Sequence, residues 1–162
     1  MNERIRSTDR VKAATEAAGM NVEIRAMPQS TRTAEEAAAA CGVGVAQIIK
    51  SLVFRKEASG EPVLLLVSGA NRVDEEAVQA QIGDRLQRLD AVSVRQITGF
   101  AIGGVAPLGS LTPLDTFIDA DLMAFDIVWA AAGAPHSVFG CDPRTLAAAT
   151  GAKVIRLRPP ER

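Results

Sequence analysis

The chain has 162 residues and nearly balanced charge, with 18 Lys and Arg residues against 19 Asp and Glu residues and a formal net charge of −1. Hydrophobic residues make up 48% and charged residues 23%, which is the composition of an ordinary globular protein. This balance excludes nucleic-acid binding through bulk positive charge, and we expect no DNA partner. No apolar stretch reaches the length of a transmembrane helix, so we expect no membrane partner either.

Cysteine and histidine are scarce. Cys41 and Cys141 lie far apart in the sequence, and His136 is the single histidine. No cluster has the spacing of a zinc site, so we expect neither a metal nor a cofactor. The first residues are mixed in charge, unlike the apolar core of a secretory signal. We therefore expect a reduced, cytoplasmic protein with one domain over residues 1–162.

The amino-terminal part predicts two helices with a strand between them. Ser7 is the expected cap of a helix that ends at about Gly19. Alternating apolar residues over 21–27 predict a half-exposed strand. The sequence Thr33-Ala34-Glu35-Glu36 has capping-box spacing and predicts an Ala-rich helix over 33–41.

The later elements follow without the regular order of a doubly wound fold. Asp74 and Asp142 are the expected caps of two helices, and Pro143 takes the first helical position of the second. Predicted strands cover 48–54, 63–68, 86–89, 116–119, 127–131, 137–140 and 153–157, and predicted helices cover 74–81, 93–97 and 143–150. This mixture predicts an α+β fold.

Lys50 is the only charged residue in the run Ile48-Ile49-Lys50-Ser51-Leu52-Val53-Phe54, which has the β-branched and aromatic content of a strand. Lysine is rarely fully buried without a partner. One interpretation is a side chain that reaches the surface from a half-exposed strand. The other is an ammonium group held in a cleft, where it binds an anion or polarises a carbonyl. This segment alone favours neither.

A second unusual segment covers residues 99–109, where four glycines and a proline interrupt the apolar run Gly-Phe-Ala-Ile-Gly-Gly-Val-Ala-Pro-Leu-Gly. Glycine permits positive φ and close approach to the backbone, and proline fixes its own φ. Such a loop can present main-chain N–H groups to a ligand while its apolar residues anchor it in the core. A tight bend at the corner of a sheet or barrel explains the same composition.

Three segments occur in an order typical of one protein family. They are Gln-Ile-Ile-Lys-Ser-Leu-Val-Phe at 47–54, a strand ending at Val67-Ser68-Gly69, and Thr98-Gly99-Phe100 leading into the motif from Gly103 to Pro107. The pattern resembles the YbaK/ProX family of free-standing aminoacyl-tRNA deacylases, which are similar to the editing domain of bacterial prolyl-tRNA synthetases. The resemblance covers 20–157. It implies an α+β domain with a curved, mostly antiparallel sheet or a partly closed barrel surrounded by helices, and one cleft lined by the lysine and the glycine loop.

The resemblance also implies roles for individual residues. Lys50 and Gly103 would carry the chemistry, the lysine by holding the terminal phosphate or ribose of the tRNA or by stabilising an oxyanion. Loop N–H groups would face the substrate carbonyl or the aminoacyl group. The expected substrate-binding residues are Gly104, Pro107, Phe100, Asn71, His136 and Thr31.

Some of these assignments have alternatives. Asn71 also fits a loop that leads into the cap at Asp74. His136 lies where relatives carry selectivity residues, but the acidic residue that some of them have nearby is absent here. The identity of the amino acid that is removed therefore stays open.

Two functions follow from the resemblance. The first is a trans-acting deacylase that removes a small mischarged amino acid (Cys, Ala, Ser or Thr) from tRNA, with tRNA(Pro) as a candidate substrate. Its expected partner is the acceptor end of the aminoacyl-tRNA, and an aminoacyl-tRNA synthetase is a further candidate partner. The alternative is a non-catalytic protein that binds an aminoacyl-adenylate-like or nucleotide ligand in the same cleft, or accompanies a synthetase. Retention of both Lys50 and the glycine loop favours the enzyme, because a binding protein need not keep both.

Overall fold

The computed structural model describes residues 6–157, and the outermost residues of the expected domain, 1–5 and 158–162, lie outside this range. The helices are α1 (Ser7–Ala17), α2 (Ala34–Cys41), α3 (Glu75–Ile82), α4 (Ala91–Thr98) and α5 (Pro143–Thr150). The strands are β1 (Ile24–Ala26), β2 (Ile49–Lys56), β3 (Pro62–Ser68), β4 (Leu86–Arg88), β5 (Asp115–Asp119), β6 (Val128–Ala131), β7 (Ser137–Cys141) and β8 (Lys153–Ile155). Short 3-10 segments cover Val45–Gln47 and Ala120–Ala124.

The strands form two sheets. The larger has the order β4-β2-β3-β5-β8 and the smaller the order β1-β7-β6. Among residues 6–157, four of the six strand pairs are antiparallel, while β3–β5 and β5–β8 are parallel. The prediction of an α+β fold with mostly antiparallel strands is confirmed. The alternative, a partly closed barrel, is not formed: the two sheets stay separate, with an isolated parallel bridge between Ile48 and Trp129 and a shared hydrophobic cluster between them.

The central strand β3 is covered on both faces. Leu64 and Leu66 pack in a large cluster with Phe100 and Phe139, while Leu65 packs in a second cluster on the opposite face. Successive side chains of a strand point to opposite faces, so a strand buried on both sides is a continuous apolar run. The sequence Pro-Val-Leu-Leu-Leu-Val-Ser of β3 has this form.

The caps follow the sequence closely, with one exception. Thr33 accepts a hydrogen bond from the Glu36 amide at 3.1 Å, and Asp74 accepts one from the Ala77 amide at 3.2 Å. Ser7 is not a cap: α1 begins at Ser7 itself, with no side-chain cap. The Ser7 hydroxyl instead donates to the distant Gly99 carbonyl at 3.4 Å. The Ser7 hydroxyl, which the local sequence predicts to cap α1, therefore makes a tertiary hydrogen bond to the glycine loop.

Two further details complete the description of the helices. The helix expected over 93–97 begins at Ala91, because Asp90 accepts from the Ser93 amide and caps it two residues earlier. Among the residues described, no helix combines the length and apolar character needed to cross a membrane.

Candidate active site

A cleft of about 830 Å³ lies where β2, the start of α2 and the glycine loop (residues 99–109) meet. Lys50, Gly103 and Thr31 are among the residues that line it. The two unusual segments of the sequence, the lysine strand and the glycine loop, therefore share one cleft, and that prediction is confirmed.

Lys50 is half-buried on β2, opposite Val67 of β3. Its ammonium group donates a hydrogen bond to the main-chain carbonyl of Asn71. Burial lowers the pKa of Lys50 from its ordinary 10.5. The Arg72 guanidinium acts in the same direction on this pKa, while the carboxylates of Glu35 and Asp119 oppose the shift. The lysine thus lies in a cleft among charged groups and is not a free surface side chain.

Asn71 holds Lys50 through its main-chain carbonyl, and its side chain is itself held by two aspartates. Its carboxamide nitrogen donates to Asp119 Oδ2 at 2.9 Å and to Asp121 Oδ2 at 2.8 Å. The carboxylate of Asp119, which is 1% exposed, also accepts from the amides of Ser68 and Asp121 at 3.0 Å each. Both amide hydrogens of the Asn71 side chain are therefore engaged, and Asn71 is outside the cleft lining. Its contribution to the site is to fix the carbonyl that holds Lys50.

Gly103 and Gly104 play different parts in the loop. Gly103 has φ +90°, and a Cβ added there would lie 3.1 Å from the Arg32 Cβ. Its N–H has no hydrogen-bond partner within residues 6–157. The Gly104 N–H donates to the Ala101 carbonyl at 2.9 Å, and a Cβ on Gly104 would meet the Ala134 backbone at 3.0 Å. The Gly103 amide, at a residue that lines the cleft, is thus without a partner among residues 6–157, whereas the amide expected from Gly104 is used inside the loop.

Phe100 and Pro107 anchor the loop. Both are buried, and neither is among the residues that line the cleft. The Phe100 ring belongs to the large core cluster, and the Arg10 guanidinium lies 4.9 Å from its centroid. Phe100 and Pro107, both expected to contact the substrate, are therefore buried residues that stabilise the loop.

Thr31 and His136 lie on two chain segments that are joined by hydrogen bonds. The Thr31 hydroxyl and amide donate to the Pro135 carbonyl at 2.9 and 2.8 Å. The main-chain carbonyl of His136 accepts from the Met27 amide at 2.7 Å, while its side chain is exposed and outside the cleft lining. Thr31 reaches the cleft with its hydroxyl already engaged, and His136 does not reach it.

The cleft lining carries more cationic than anionic side chains, and the sequence did not reveal the part of Arg32 and Arg88 in it. Arg32, Arg72 and Arg88 line the cleft together with Lys50, and Glu35 is the single carboxylate among the lining residues. Arg88 is already paired with Glu75 outside the lining, with Arg88 Nε 3.2 Å from Glu75 Oε1. Arg32 and Glu35 lie close to Thr33, the cap of α2. A charged residue at such a position is normally predicted to be a solvent-exposed side chain at a helix end. Their position against the lysine strand is a tertiary effect with no local sequence signal. Guanidinium groups suit phosphate and carboxylate oxygens.

The remaining lining is mostly apolar, with one polar exception. Val53, Val94, Val105 and Ala130 form part of the wall. The Ser51 hydroxyl is buried and has no hydrogen-bond partner among the described residues, although Ser51 lines the cleft. A buried hydroxyl without a hydrogen-bond partner lowers the stability of the folded state. Packing alone therefore does not explain a serine at position 51.

The thiols lie outside the cleft lining. Burial raises the pKa of Cys141 to about 12, and Asp142 adds to the shift. Burial also raises the pKa of Cys41. Both cysteines therefore stay protonated at neutral pH and are poor nucleophiles. The arrangement can polarise and position a substrate, with an ammonium group, guanidinium groups and a main-chain N–H.

The sequence is similar to a known protein family and to a bacterial protein. Residues 28–158 match the family model of the aminoacyl-tRNA editing domain. The chain is 33% identical over 126 residues to the uncharacterised protein YwhH of Bacillus subtilis (strain 168), over 77% of this chain and 79% of that protein.

Two solved structures are similar over nearly the whole chain. The crystal structure of a candidate trans-editing enzyme for prolyl-tRNA synthetase has a TM-score of 0.89 and 45% identity, and the match covers 95% of this chain and 98% of that one. The hypothetical protein APE2540 has a TM-score of 0.85 and 28% identity, with 91% and 98% covered. Since the family model spans most of the sequence and the fold agrees throughout, the chain belongs to the aminoacyl-tRNA editing domain family.

Proposed function

We propose that this protein is a trans-acting aminoacyl-tRNA deacylase that hydrolyses the ester of a small amino acid, of the class Ala, Ser, Cys and Thr, on the acceptor end of a tRNA. The observation that carries the proposal is the shared cleft of Lys50 and Gly103, in a chain of the editing-domain family. We propose that it acts in the cytoplasm, where its substrates are formed.

The chemistry fits an ester better than an amide. Water attacks the carbonyl carbon, the ester C–O bond breaks, and the ribose hydroxyl leaves with a proton. A ribose hydroxyl is a better leaving group than an amine, so the protein can work by orientation and electrostatic stabilisation. The Gly103 N–H and the Lys50 ammonium group are the two donors suited to the oxyanion.

The excess of cationic side chains in the cleft lining supports an RNA end as the ligand. Arg32 and Arg72 are exposed and line the cleft, where phosphate oxygens of the acceptor end can meet them, while Arg88 is paired with Glu75. A protein that grips only the end of a tRNA needs few phosphate contacts. The overall charge of −1 is therefore compatible with this partner.

The apolar part of the wall supports selection by size. Main-chain groups recognise the carbonyl and amino group that all aminoacyl esters share, so discrimination falls to side-chain volume. One methylene more or less in an apolar pocket changes binding by about 1–3 kcal/mol. We expect modest preference among small amino acids and exclusion of bulky ones.

A panel of mischarged tRNAs tests the function. Because one similar structure is that of a candidate trans-editing enzyme for prolyl-tRNA synthetase, tRNA(Pro) is the first tRNA to use. It is charged separately with labelled Ala, Ser, Cys, Thr, Phe and Leu, and release of the label is followed with and without protein. We expect release from the small esters and resistance of the Phe and Leu esters.

Two outcomes would contradict this account. Equal rates on Phe and Ala esters would refute selection by size. Tight binding of the tRNAs with no hydrolysis of any ester would refute the deacylase and support the non-catalytic binding protein. A synthetase partner is tested by adding prolyl-tRNA synthetase to the same assays and measuring whether the rate rises.

A further inference from the structure

We propose that Arg10, on α1, is a positioning residue that holds both ends of the glycine loop and so sets the Gly103 amide in the cleft. The effect on catalysis rests on the proposed function, whereas the effect on the loop does not.

The first support is a pair of hydrogen bonds. Arg10 Nε donates to the Gly109 carbonyl at 3.2 Å, and Arg10 Nη2 donates to the Thr98 carbonyl at 3.4 Å. Thr98 directly precedes the loop and Gly109 is its last residue. One planar guanidinium group therefore joins the entrance of the loop to its exit, with two donors in a fixed geometry.

The second support is the contact with Phe100. The guanidinium carbon lies 4.9 Å from the centroid of this fully buried ring. A cation over an aromatic face is attracted by the ring quadrupole. The same group thus fixes the first apolar anchor of the loop as well as its two ends.

The third support is the close approach of α1 to the terminal glycines. Gly109 has φ +88°, and a Cβ there would lie 3.1 Å from the backbone of Arg10. Gly99 has φ +76°, and its carbonyl accepts from the Ser7 hydroxyl. Both glycines are needed for the turns and for the approach of the helix, so the loop ends are built around α1.

Gly103 lies between these fixed ends. Glycine-rich backbone has more accessible conformations than any other, and a donor that stabilises an oxyanion must be held to a fraction of an ångström. The buried residues Val105 and Ala106 keep the loop in the core. Arg10 fixes where the loop starts and ends. α1 also precedes residues 28–158, so this support lies outside the part of the chain that the family model matches.

Hydrogen–deuterium exchange tests the effect on the loop directly. Arg10→Ala is compared with wild type and with Lys12→Ala, which removes an equal charge from an exposed position of the same helix. We expect amide exchange over 99–109 to rise by about tenfold or more in Arg10→Ala, with α1 and β3 as protected as in wild type. Lys12→Ala should leave the loop unchanged.

Steady-state deacylation tests the effect on catalysis. In Arg10→Ala we expect kcat to fall by about tenfold while KM stays within about twofold, because the misplaced donor acts mainly in the transition state. Arg10→Lys should recover only part of kcat, since an ammonium group does not reproduce the planar pair of donors stacked on Phe100.

Several results would overturn the proposal. Loop exchange equal to that of Lys12→Ala would show that Arg10 does not hold the loop. Exchange that rises throughout α1 and the sheet, or a loop that loosens with kcat unchanged, would remove the positioning role. If wild type hydrolyses no ester, the deacylase proposal fails, and the exchange experiment still decides whether Arg10 sets the loop.

Discussion

The ammonium group of Lys50 is held by the main-chain carbonyl of Asn71, and the Asn71 side chain is held in turn by Asp119 and Asp121. The acceptor is a neutral carbonyl, and no carboxylate among residues 6–157 forms a direct ion pair with this lysine. An ammonium group has three donors, and two remain for a substrate anion. Asp119 thus fixes the residue that holds Lys50, and its charge also favours the ammonium form of this lysine.

Asn71→Asp should destabilise the protein, since a third carboxylate would replace the donor between Asp119 and Asp121. Loss of two hydrogen bonds and like-charge repulsion cost about 2–4 kcal/mol. The measurement is the urea midpoint of unfolding at neutral pH. Asn21→Asp adds the same charge at an exposed position and serves as the control. An equal effect of both variants would show that the Asn71 carboxamide does not bridge the aspartates.

The lowered pKa of Lys50 predicts the pH range in which its positive charge is lost. Burial disfavours the ammonium form, so Lys50 should release its proton below pH 10.5. Steps that need the ammonium group are then present at low pH and lost as pH rises through this lowered pKa. A lysine side-chain NMR titration measures it directly, and Glu35→Gln should lower the pKa further because the opposing carboxylate is gone. A titration at or above 10.5 in wild type would contradict the burial of this lysine.

Ser51→Ala should not lower the free energy of unfolding, because the Ser51 hydroxyl has no partner among residues 6–157. Ser68→Ala is the matched comparison: its hydroxyl donates to the Ala46 carbonyl at 2.8 Å. Its removal should cost about 0.5–1.5 kcal/mol. Both are measured by urea unfolding. A larger loss for Ser51→Ala than for Ser68→Ala would show that Ser51 does have a partner in solution.

Gly103→Val should lower deacylation of every substrate. The positive φ strains any β-branched residue by about 1–3 kcal/mol, and the new side chain meets Arg32 at the cleft. Gly60→Val separates these effects, because Gly60 also has positive φ, at +75°, but nothing within 4 Å of an added Cβ. Both variants should lose stability, and only Gly103→Val should lose activity beyond its unfolded fraction. Equal activities of the folded variants would argue against a role for Gly103 at the site.

Local chemistry made much of the fold predictable. The Thr33 capping box and the Asp74 and Asp142 caps act within a few residues of the chain, so the sequence is enough to place them. Lys50 was detectable because a lone charge in an apolar strand is costly unless it serves a purpose. Its shared cleft with the loop came from the family resemblance.

The rest depends on contacts between distant segments. Phe100 is adjacent to the loop motif in sequence but is turned into the core, and Ser7 serves the Gly99 carbonyl in place of its own helix. Arg32 reaches the cleft by packing on Gly103, a contact that no local pattern encodes. Of the two forms that the resemblance implied, the open, mostly antiparallel sheet is the one formed, because strand lengths and pairing partners, which the pattern does not fix, left the sheets separate.

Single-turnover deacylation of a small mischarged tRNA by Lys50→Ala tests the central claim most directly. Loss of a charge-assisted contact of about 1.5–3 kcal/mol predicts a rate about ten- to a hundredfold below wild type. Lys50→Arg should not restore it fully, because a guanidinium group is larger and planar. Lys153→Ala, at an exposed position outside the cleft lining, is the control and should match wild type. A folded Lys50→Ala protein with the wild-type rate would contradict the account.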